Sequence, residues 1–399
     1  MSEDQTLKLL VPTSMATQLS RRGFLRGVTL TAAAAAALSA CGSSGSLAGT
    51  PGSSAPSASA LPTALEKDLN FFTWADYDDP ALVKAFATKE GLTTHLDVYG
   101  SNVEAIAKLS AAKGTAGYDI YVPSGNYVPE LLRNNLLLKL DHSRIPNIKN
   151  LDPQVTGQYW DPKNEFSVCK DWGTTGYVYD TTVIKRELTT WADFVDAMGK
   201  EASGKTSVLE ESEQLVGLYF WSKSPVGDWS SEDSAELDAA ETFILDKVAP
   251  HIKAYDSYPG AGLAAGKYAL MMCWNGDART GLMAAKEPDR YRWVLGSPAT
   301  ERWMDNWTIL ASAPHPAAAH AWINNILDPD VSYMDLQFHS YNTGIAGQKE
   351  MAVASKLPRN DVIFFTDEQV KTMSTYKVGL TLQRRLDILQ KAKARSAAG

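Results

Sequence analysis

From residue 69 onward the chain alternates between short apolar runs of period two and longer runs of period 3.6, and this alternation constrains the fold more than any other feature. Leu69 to Trp74, Thr93 to Tyr99 and Tyr118 to Val122 read as strands, with helices over Pro80 to Lys89 and Val103 to Lys113 between them. A second series runs from Thr174. It holds a strand over Thr206 to Leu209, helices around Glu211 to Trp221 and Asp233 to Leu245, and a strand over Tyr268 to Trp274. The last part is largely helical, over Pro316 to Leu327, Asp330 to Phe338 and Leu382 to Ala394. Strands alternating with helices predict βαβ units, a mostly parallel sheet and an α/β fold. Two such series in one chain predict two lobes, with ligands in the cleft beyond the carboxyl ends of the strands. No 20–50-residue repeat is visible, which removes solenoids and propellers.

The first 40 residues stand apart from this pattern. Arg21-Arg22 in a basic head precedes an apolar run from Val28 to Leu38, too short for the roughly 20 residues that span a bilayer. A twin-arginine head with a short apolar body reads as an export signal. It ends Leu38-Ser39-Ala40-Cys41, a lipobox pattern, so Cys41 is expected to carry a lipid anchor after cleavage. Residues 41–65 are rich in Gly, Ser, Ala, Thr and Pro and read as a flexible tether. The expected location is the outer face of the bacterial cytoplasmic membrane. Loss of the signal removes four basic and two acidic side chains, which deepens the formal charge from −8 to −10.

That acidic balance argues against a general nucleic-acid binder, because phosphates need a basic face. It permits a cationic ligand. Three Cys without a close pair exclude a Cys-rich zinc module and a disulfide-dense scaffold. The chain has no Gly-x-Ser-x-Gly elbow, no His-Glu-x-x-His helix and no phosphate loop ending Gly-Lys-Ser/Thr. Gly260-x-Gly262 with Gly266 reads as a turn entering a short helix, and His315 and His320 are poorly spaced for a metal. No catalytic residue, cofactor or metal is expected.

What remains is Trp and Tyr interleaved with acids at predicted strand ends: Phe72 to Tyr77, Trp274 to Asp277, and Trp303-Met304-Asp305. An aromatic face attracts an alkylammonium by roughly 0.5–2 kcal/mol. A carboxylate accepts from the three donors of a primary ammonium. Aromatic walls with acids at the ends suit a linear amine.

These motifs carry a family resemblance. Phe72 to Tyr77, Tyr118 to Ser124, Asp171 to Gly176, Gly262 to Asp277 and Trp303-Met304-Asp305 stand in the order seen in the bacterial spermidine/putrescine-binding proteins. The chain resembles that family, extracytoplasmic receptors of ABC importers, from about Leu69 to Leu389. The resemblance implies a periplasmic-binding-protein fold of type II. It places one lobe over residues 66–173 and 303–348 and the other over 174–302 and 349–395, with crossings near Gly173 and Trp303. It implies aromatic walls from Trp74, Trp274 and Trp303, and one ammonium on Asp305. Asp76 and Glu211 would serve other amino groups, and Tyr77, Ser124 and Tyr341 would line the cleft, with Thr375 near a further polar position. A polyamine as ligand, an ABC permease as partner and a monomeric chain follow from the same resemblance.

Two positions depart from the family pattern. Asn126 stands where an aromatic is common, and Gln214 stands where a second acid follows Glu211. One fewer carboxylate disfavours an extra buried ammonium, so a shorter or less charged amine such as putrescine, or a related cation, is expected. With Cys41 lipidated, Cys169 and Cys273 remain, and outside the cytoplasm two leftover thiols can pair. Trp faces and acids also suit sugar rings, which leaves a sugar receptor of the same fold as an alternative. A secreted hydrolase with a carboxylate pair is the alternative from another class.

Overall fold

The computed structural model describes residues 61–112 and 114–398. The export signal, Cys41 and the tether as far as residue 60 lie outside the described residues.

The first β–α unit shows how the sequence sets element ends. β1 (Asp68–Trp74) leads to Asp79, whose carboxylate accepts the Ala81 N–H and caps α1 (Pro80–Glu90). Pro80 supplies the first-turn φ, and Gly91 ends the helix in the left-handed region at φ 65°. β2 (Thr93–Tyr99) then pairs parallel to β1, and Ser101 caps α2 (Asn102–Ala111). β3 (Ile120–Tyr121) takes the other side of β1, followed by α3 (Val128–Arg133).

A long strand, β4 (Ser167–Asp180), carries the chain into the second series. There α4 (Trp191–Gly199), β5 (Thr206–Leu209), α5 (Ser212–Trp221), α6 (Ser234–Phe243), β6 (Ile252–Asp256), α7 (Pro259–Ala264), β7 (Leu270–Trp274), α8 (Asn275–Ala284) and β8 (Tyr291–Val294) follow in turn. β9 (Thr300–Ile309) returns to β3 and leads to α9 (Pro316–Ile326), α10 (Pro329–His339) and α11 (Gln348–Ala354). The chain ends through α12 (Asp367–Lys371), β10 (Met373–Ser374) and α13 (Leu382–Ala397).

Among the described residues the strands join in the order β2-β1-β3-β9-β4-β7-β5-β6, with β8 beside β4 and β10 beside β9. β4 is the pivot of this order. Ser167 to Thr174 pair with β9, whereas Thr175 to Asp180 pair with β7 and β8. The change of partner separates two cores. Phe71, Ile120, Val168, Trp307 and Trp322 pack in one, and Tyr177, Trp191, Trp221, Leu270 and Ile388 in the other. The chain is therefore two α/β lobes joined by crossing strands, the type II binding-protein architecture. Among the described residues no helix is long and apolar enough to cross a membrane.

Three sequence expectations change. Tyr118 to Val122 pairs only at Ile120–Tyr121. The sheet is parallel within β2-β1-β3 and β6-β5-β7, and β10 is parallel to β9, but β9 runs antiparallel to β3 and β4, and β4 antiparallel to β7 and β8. The period-two pattern also gave no strand over residues 167–180, because Lys170, Asp171, Gly173 and Gly176 interrupt it, although all 14 residues are buried.

The cysteine bridge is likewise corrected: Cys169 and Cys273 are free, buried thiols. Cys273 lies opposite Gly176 on β4, and Cys169 belongs to the other core. Seven strand residues, roughly 20 Å, separate Cys169 from Gly176, while a disulfide needs Cα atoms within about 7 Å.

Candidate ligand-binding site

The crossing strands form a ladder whose rungs carry the site. In the β4–β9 register Asp171 faces Asp305 and Gly173 faces Trp303. One step on, the Thr175 hydroxyl donates to Glu301 Oε2 at 2.6 Å. Alternate strand residues share a face, so Glu301, Trp303 and Asp305 stand on one side of β9, with the carboxylates about 13 Å apart at the Cα atoms. Gly173 makes this arrangement feasible. A Cβ there would lie 2.4 Å from the Trp303 ring and 2.2 Å from Asn275 Oδ1. Gly276 does the same for Tyr341, whose ring would meet its Cβ at 2.3 Å. The Trp-Gly and Asn-Gly pairs in the sequence are thus clearances for aromatic rings.

At one end of the ladder Asp305 accepts from Ser124 Oγ at 2.7 Å and from the Tyr77 hydroxyl at 2.9 Å. The same hydroxyl contacts Asp171 Oδ1. One phenolic proton cannot serve two carboxylates, so a carboxyl proton must complete the trio. Burial, followed by the neighbouring Asp171, pushes Asp305 up to about 7. Asp171 is raised by burial and opposed by His339 and Lys170.

Behind this trio lies a fully buried ammonium. Lys170 Nζ is 3.3 Å from Asp78, 3.3 Å from Asp335 and 3.7 Å from Asp171, and it donates to the Tyr77 carbonyl at 3.0 Å. It also sits over the Tyr77 and Trp307 rings, at 4.3 and 4.8 Å. Burial lowers the pKa of such a group, but Asp335, Asp78 and Asp171 together raise it. Burial alone would raise Asp335, yet Lys170 and His339 hold it below the carboxylate range. His339 Nδ1 accepts the Tyr341 N–H at 3.0 Å, which leaves Nε2 facing Asp335 and Asp171.

At the other end three acids meet with no cation at contact distance among the described residues, while Lys393 acts on Glu211 and the buried Arg385 guanidinium on Glu213 from further off. Glu301 accepts from Gln214 Nε2 at 3.1 and 2.8 Å as well as from Thr175. Glu213 accepts from the Tyr127 hydroxyl at 3.0 Å and from Ser212 Oγ at 2.7 Å. Glu211 precedes α5 and makes no capping bond. Burial, followed by Glu213 and Glu301, pushes Glu211 well up, and burial holds Glu301 at about 7 despite Thr175 and Gln214. No Lys, Arg or His among the described residues forms an ion pair with these three.

Trp274, at the end of β7, packs against both cores and so stands where the lobes meet. Trp303 meets Tyr341 edge-on at 4.9 Å, and Trp74 lies 4.5 Å from Tyr99. The Trp74 and Trp303 indole N–H groups are buried without a partner. Bonds that cross between the lobes include Tyr127 to Glu213, the Tyr341 hydroxyl to Asp277 at 2.6 Å, and Arg279 Nη1 to Ser340 Oγ at 2.7 Å.

The structure thus brings together Tyr77, Ser124 and Asp305 at one end, and Glu211 and Gln214 at the other, with Trp303 and Tyr341 between. It does not bring Asp76 to them. That residue is exposed at φ 54° and makes no side-chain hydrogen bond among the described residues. Asn126 is half-buried and likewise unbonded, and Thr375 donates to the Arg302 carbonyl at 2.8 Å. Sequence reasoning assigned no site role to Lys170, Asp171, Tyr127, Glu213 or Glu301, and placed Asp277 only within an aromatic–acid cluster. The alternating residues 301, 303 and 305 fall on one strand face, which was the available signal for Glu301. Gln214, read as one carboxylate fewer, donates to the carboxylate of Glu301, and Glu213 adds a further acid on the same helix. His315 and His320 serve the fold, bonding Asp119 and the Pro316 carbonyl.

Comparison with known proteins fits this geometry. The family model for bacterial extracellular solute-binding proteins matches residues 75–332. The putrescine/agmatine-binding protein of Pseudomonas aeruginosa is 28% identical over 325 residues, covering 78% of this chain and 87% of the relative. The spermidine/putrescine-binding periplasmic protein of Escherichia coli is 29% identical over 304 residues, covering 75% and 84%. Among solved structures, the substrate-binding protein PotD of Streptococcus pneumoniae, a spermidine/putrescine ABC transporter component, superposes with a TM-score of 0.69 at 25% identity. That match covers 83% of this chain and 100% of the other. The TpPotD lipoprotein of Treponema pallidum superposes at 0.70 with 21% identity, covering 82% and 99%, and shares the fold.

Proposed function

The chain belongs to the bacterial extracellular solute-binding protein family, and from that premise we propose that it captures a linear polyamine of the putrescine/spermidine class. It does so as the extracytoplasmic receptor of an ABC importer, anchored through Cys41 and handing its ligand to a permease. One observation carries the reading: buried carboxylates stand at both ends of a tryptophan, and among the described residues those at the Glu301 end form no ion pair at contact distance. An unpaired buried charge costs several kcal/mol, so such acids call for a cationic ligand. A primary ammonium brings three donors, and an indole face attracts the adjoining methylenes and charge. The names of the relatives support the same ligand class.

The mechanism is capture without bond-making. Acids exposed between open lobes steer the cation, and closure removes its water. Trp274 packs against both cores and the Tyr127–Glu213 and Tyr341–Asp277 bonds span the lobes, which suits a closed form stabilised by ligand. The ligand favours closure only by as much as it binds the closed form better.

A thermal-shift panel of polyamines, amino acids and sugars tests the reading. At 100 times its Kd a ligand stabilises by roughly 2.7 kcal/mol, so putrescine or spermidine raises the melting temperature and neutral sugars do not. Stabilisation by a sugar alone would contradict it.

Binding also depends on pH with a defined sign. Asp305 and Glu301 hold protons up to about 7, whereas an ammonium needs the carboxylate. Affinity therefore falls as pH drops below about 7, by roughly tenfold per unit for each group that must first lose its proton. The ligand-free fold changes in the opposite sense. Between the ordinary carboxyl range and about 7 the native state holds protons that the unfolded chain has released, so stability declines as pH rises through that window. Calorimetric titrations at pH 6 and pH 8 check the first effect, and melting of the free protein checks the second.

A further inference from the structure

Resting on the reading that ligand and lobe closure are linked, we propose that Arg279 and Ser340 form a latch between the lobes. Their bond holds the turn His339-Ser340-Tyr341 of one lobe against α8 of the other. It thereby sets how tightly the protein holds any ligand, although neither side chain belongs to the acids and tryptophans of the cleft.

The turn is fixed from several sides. His339 Nδ1 accepts the Tyr341 N–H at 3.0 Å, and its Nε2 faces Asp335 and Asp171, which ties the turn to the buried Lys170 cluster. Ser340, between them in the chain, ends α10 in the left-handed region at φ 72°, with its N–H bonded to the Leu336 carbonyl at 2.8 Å. A residue with a Cβ keeps that conformation only where its surroundings hold it. Here α8 supplies the hold. Ser340 is buried, and its hydroxyl oxygen accepts from Arg279 Nη1 at 2.7 Å and from Thr280 Oγ1 at 3.2 Å, successive residues of that helix.

Arg279 is suited to a contact that forms and breaks. It is only 4% exposed and makes no ion pair among the described residues, so no carboxylate holds its charge in one place. Its Nε donates to the Pro358 carbonyl at 3.0 Å, which fastens the guanidinium on its own side, where Val362 packs in the same core as Ala278 and Leu282. Nη1 is left to reach across to Ser340. Burial disfavours the charge and lowers its pKa, so each N–H of the guanidinium needs an acceptor. A bond from a charged donor is about twice as strong as one between neutral groups. With the lobes apart, water takes the place of Ser340; with the lobes together, the hydroxyl is an acceptor already in position. A contact made only in the closed form raises the closed fraction, and apparent affinity scales with that fraction whatever the ligand is. Loss of the latch therefore weakens every ligand by one factor, whereas loss of a ligand contact weakens different ligands unequally.

Calorimetric titration of the wild type, Arg279→Met and Ser340→Gly with spermidine and with putrescine tests the latch, with the melting temperature of each free protein measured alongside. Ser340→Gly removes the hydroxyl and eases the left-handed backbone, so it is expected to leave the free protein as stable as the wild type. Each variant is expected to bind both amines about tenfold more weakly, a difference of about 1.4 kcal/mol, with the loss lying in faster dissociation. The double variant should lose little more than the more affected single one, because both substitutions act through one bond. Unchanged affinities in Ser340→Gly would overturn the latch, as would losses that differ between the two amines by more than about threefold. A fall in free-protein stability accompanying the affinity loss in Ser340→Gly would make the residue structural and overturn it as well. Should Arg279→Met fail to fold, Ser340→Gly decides alone. Failure of both amines to bind the folded wild type would instead overturn the polyamine reading, and the same comparison with the ligand found by thermal shift then decides the latch.

Discussion

Asp305→Asn is expected to weaken polyamine binding by about 100-fold or more while leaving the free protein as stable as the wild type. Removing one partner of a desolvated, hydrogen-bonded charge pair costs about 2–5 kcal/mol, and every 1.4 kcal/mol is about tenfold in affinity. Asp305 accepts from Ser124 and Tyr77 in the free protein and has no cation in direct contact. Burial holds it protonated up to about 7, so an uncharged Asn resembles the state the free site already adopts near neutral pH. Above that pH the variant should even be slightly more stable, because it no longer carries a carboxylate that must ionise without water. Calorimetric titration gives the affinity and differential scanning calorimetry the stability. A large loss of both would make Asp305 a structural residue, and unchanged affinity would remove it from the site.

Lys170→Met is expected to have the opposite profile, a large loss of stability at neutral pH. Lys170 is the ammonium against which Asp78, Asp171 and Asp335 are buried. Taking one partner from a buried ionic cluster costs about 3–5 kcal/mol, because the remaining charges keep their desolvation penalty. A loss of that size lowers the melting temperature by on the order of 10 °C in a domain of a few hundred residues. The sign with pH follows from Asp335, which Lys170 and His339 hold below the ordinary carboxyl range in the wild type. In the native wild type that depressed group adds stability above the unfolded-state pKa, and this contribution is lost as pH falls through the native one. Without Lys170 the carboxyls take up protons more readily, so the variant's deficit should be greatest above neutrality and shrink towards pH 5. Melting curves at pH 5 and pH 8 measure it. A deficit below about 1 kcal/mol at pH 8 would show that His339 and the ring faces suffice to hold the acids.

The elements with a single buried face were legible from the sequence. β1, α1, β2, α2, α9 and α10 follow the period-two and period-3.6 patterns to within a residue or two of their ends, because capping residues such as Asp79 and Ser101 mark them. β4 was not, since both its faces are buried and its polar residues serve the site. A strand read by alternation must have one wet face, and this one has none. The same reason hid Asp171 and Lys170. Asp305, Ser124, Tyr77 and Trp303 were accessible through local motifs, whereas Glu301 and Glu213 become site residues only when β9, β4 and α5 are brought together by pairing far apart in the chain. Asp76 shows the converse: a motif placed it beside Tyr77, but a left-handed backbone at φ 54° leaves it exposed. Gln214 is the most instructive position. Alone it reads as a lost charge, and in the fold it holds a carboxylate supplied by the neighbouring strand.

Titration of spermidine into the wild-type protein and into Asp305→Asn, side by side at pH 8 in amine-free buffer, tests capture of a cation between carboxylates most directly. The expected result is saturable binding of one molecule per wild-type chain, weakened by about 100-fold or more in the variant. Indistinguishable affinities in the two proteins, or a wild type that ignores spermidine and binds a neutral sugar, would contradict it.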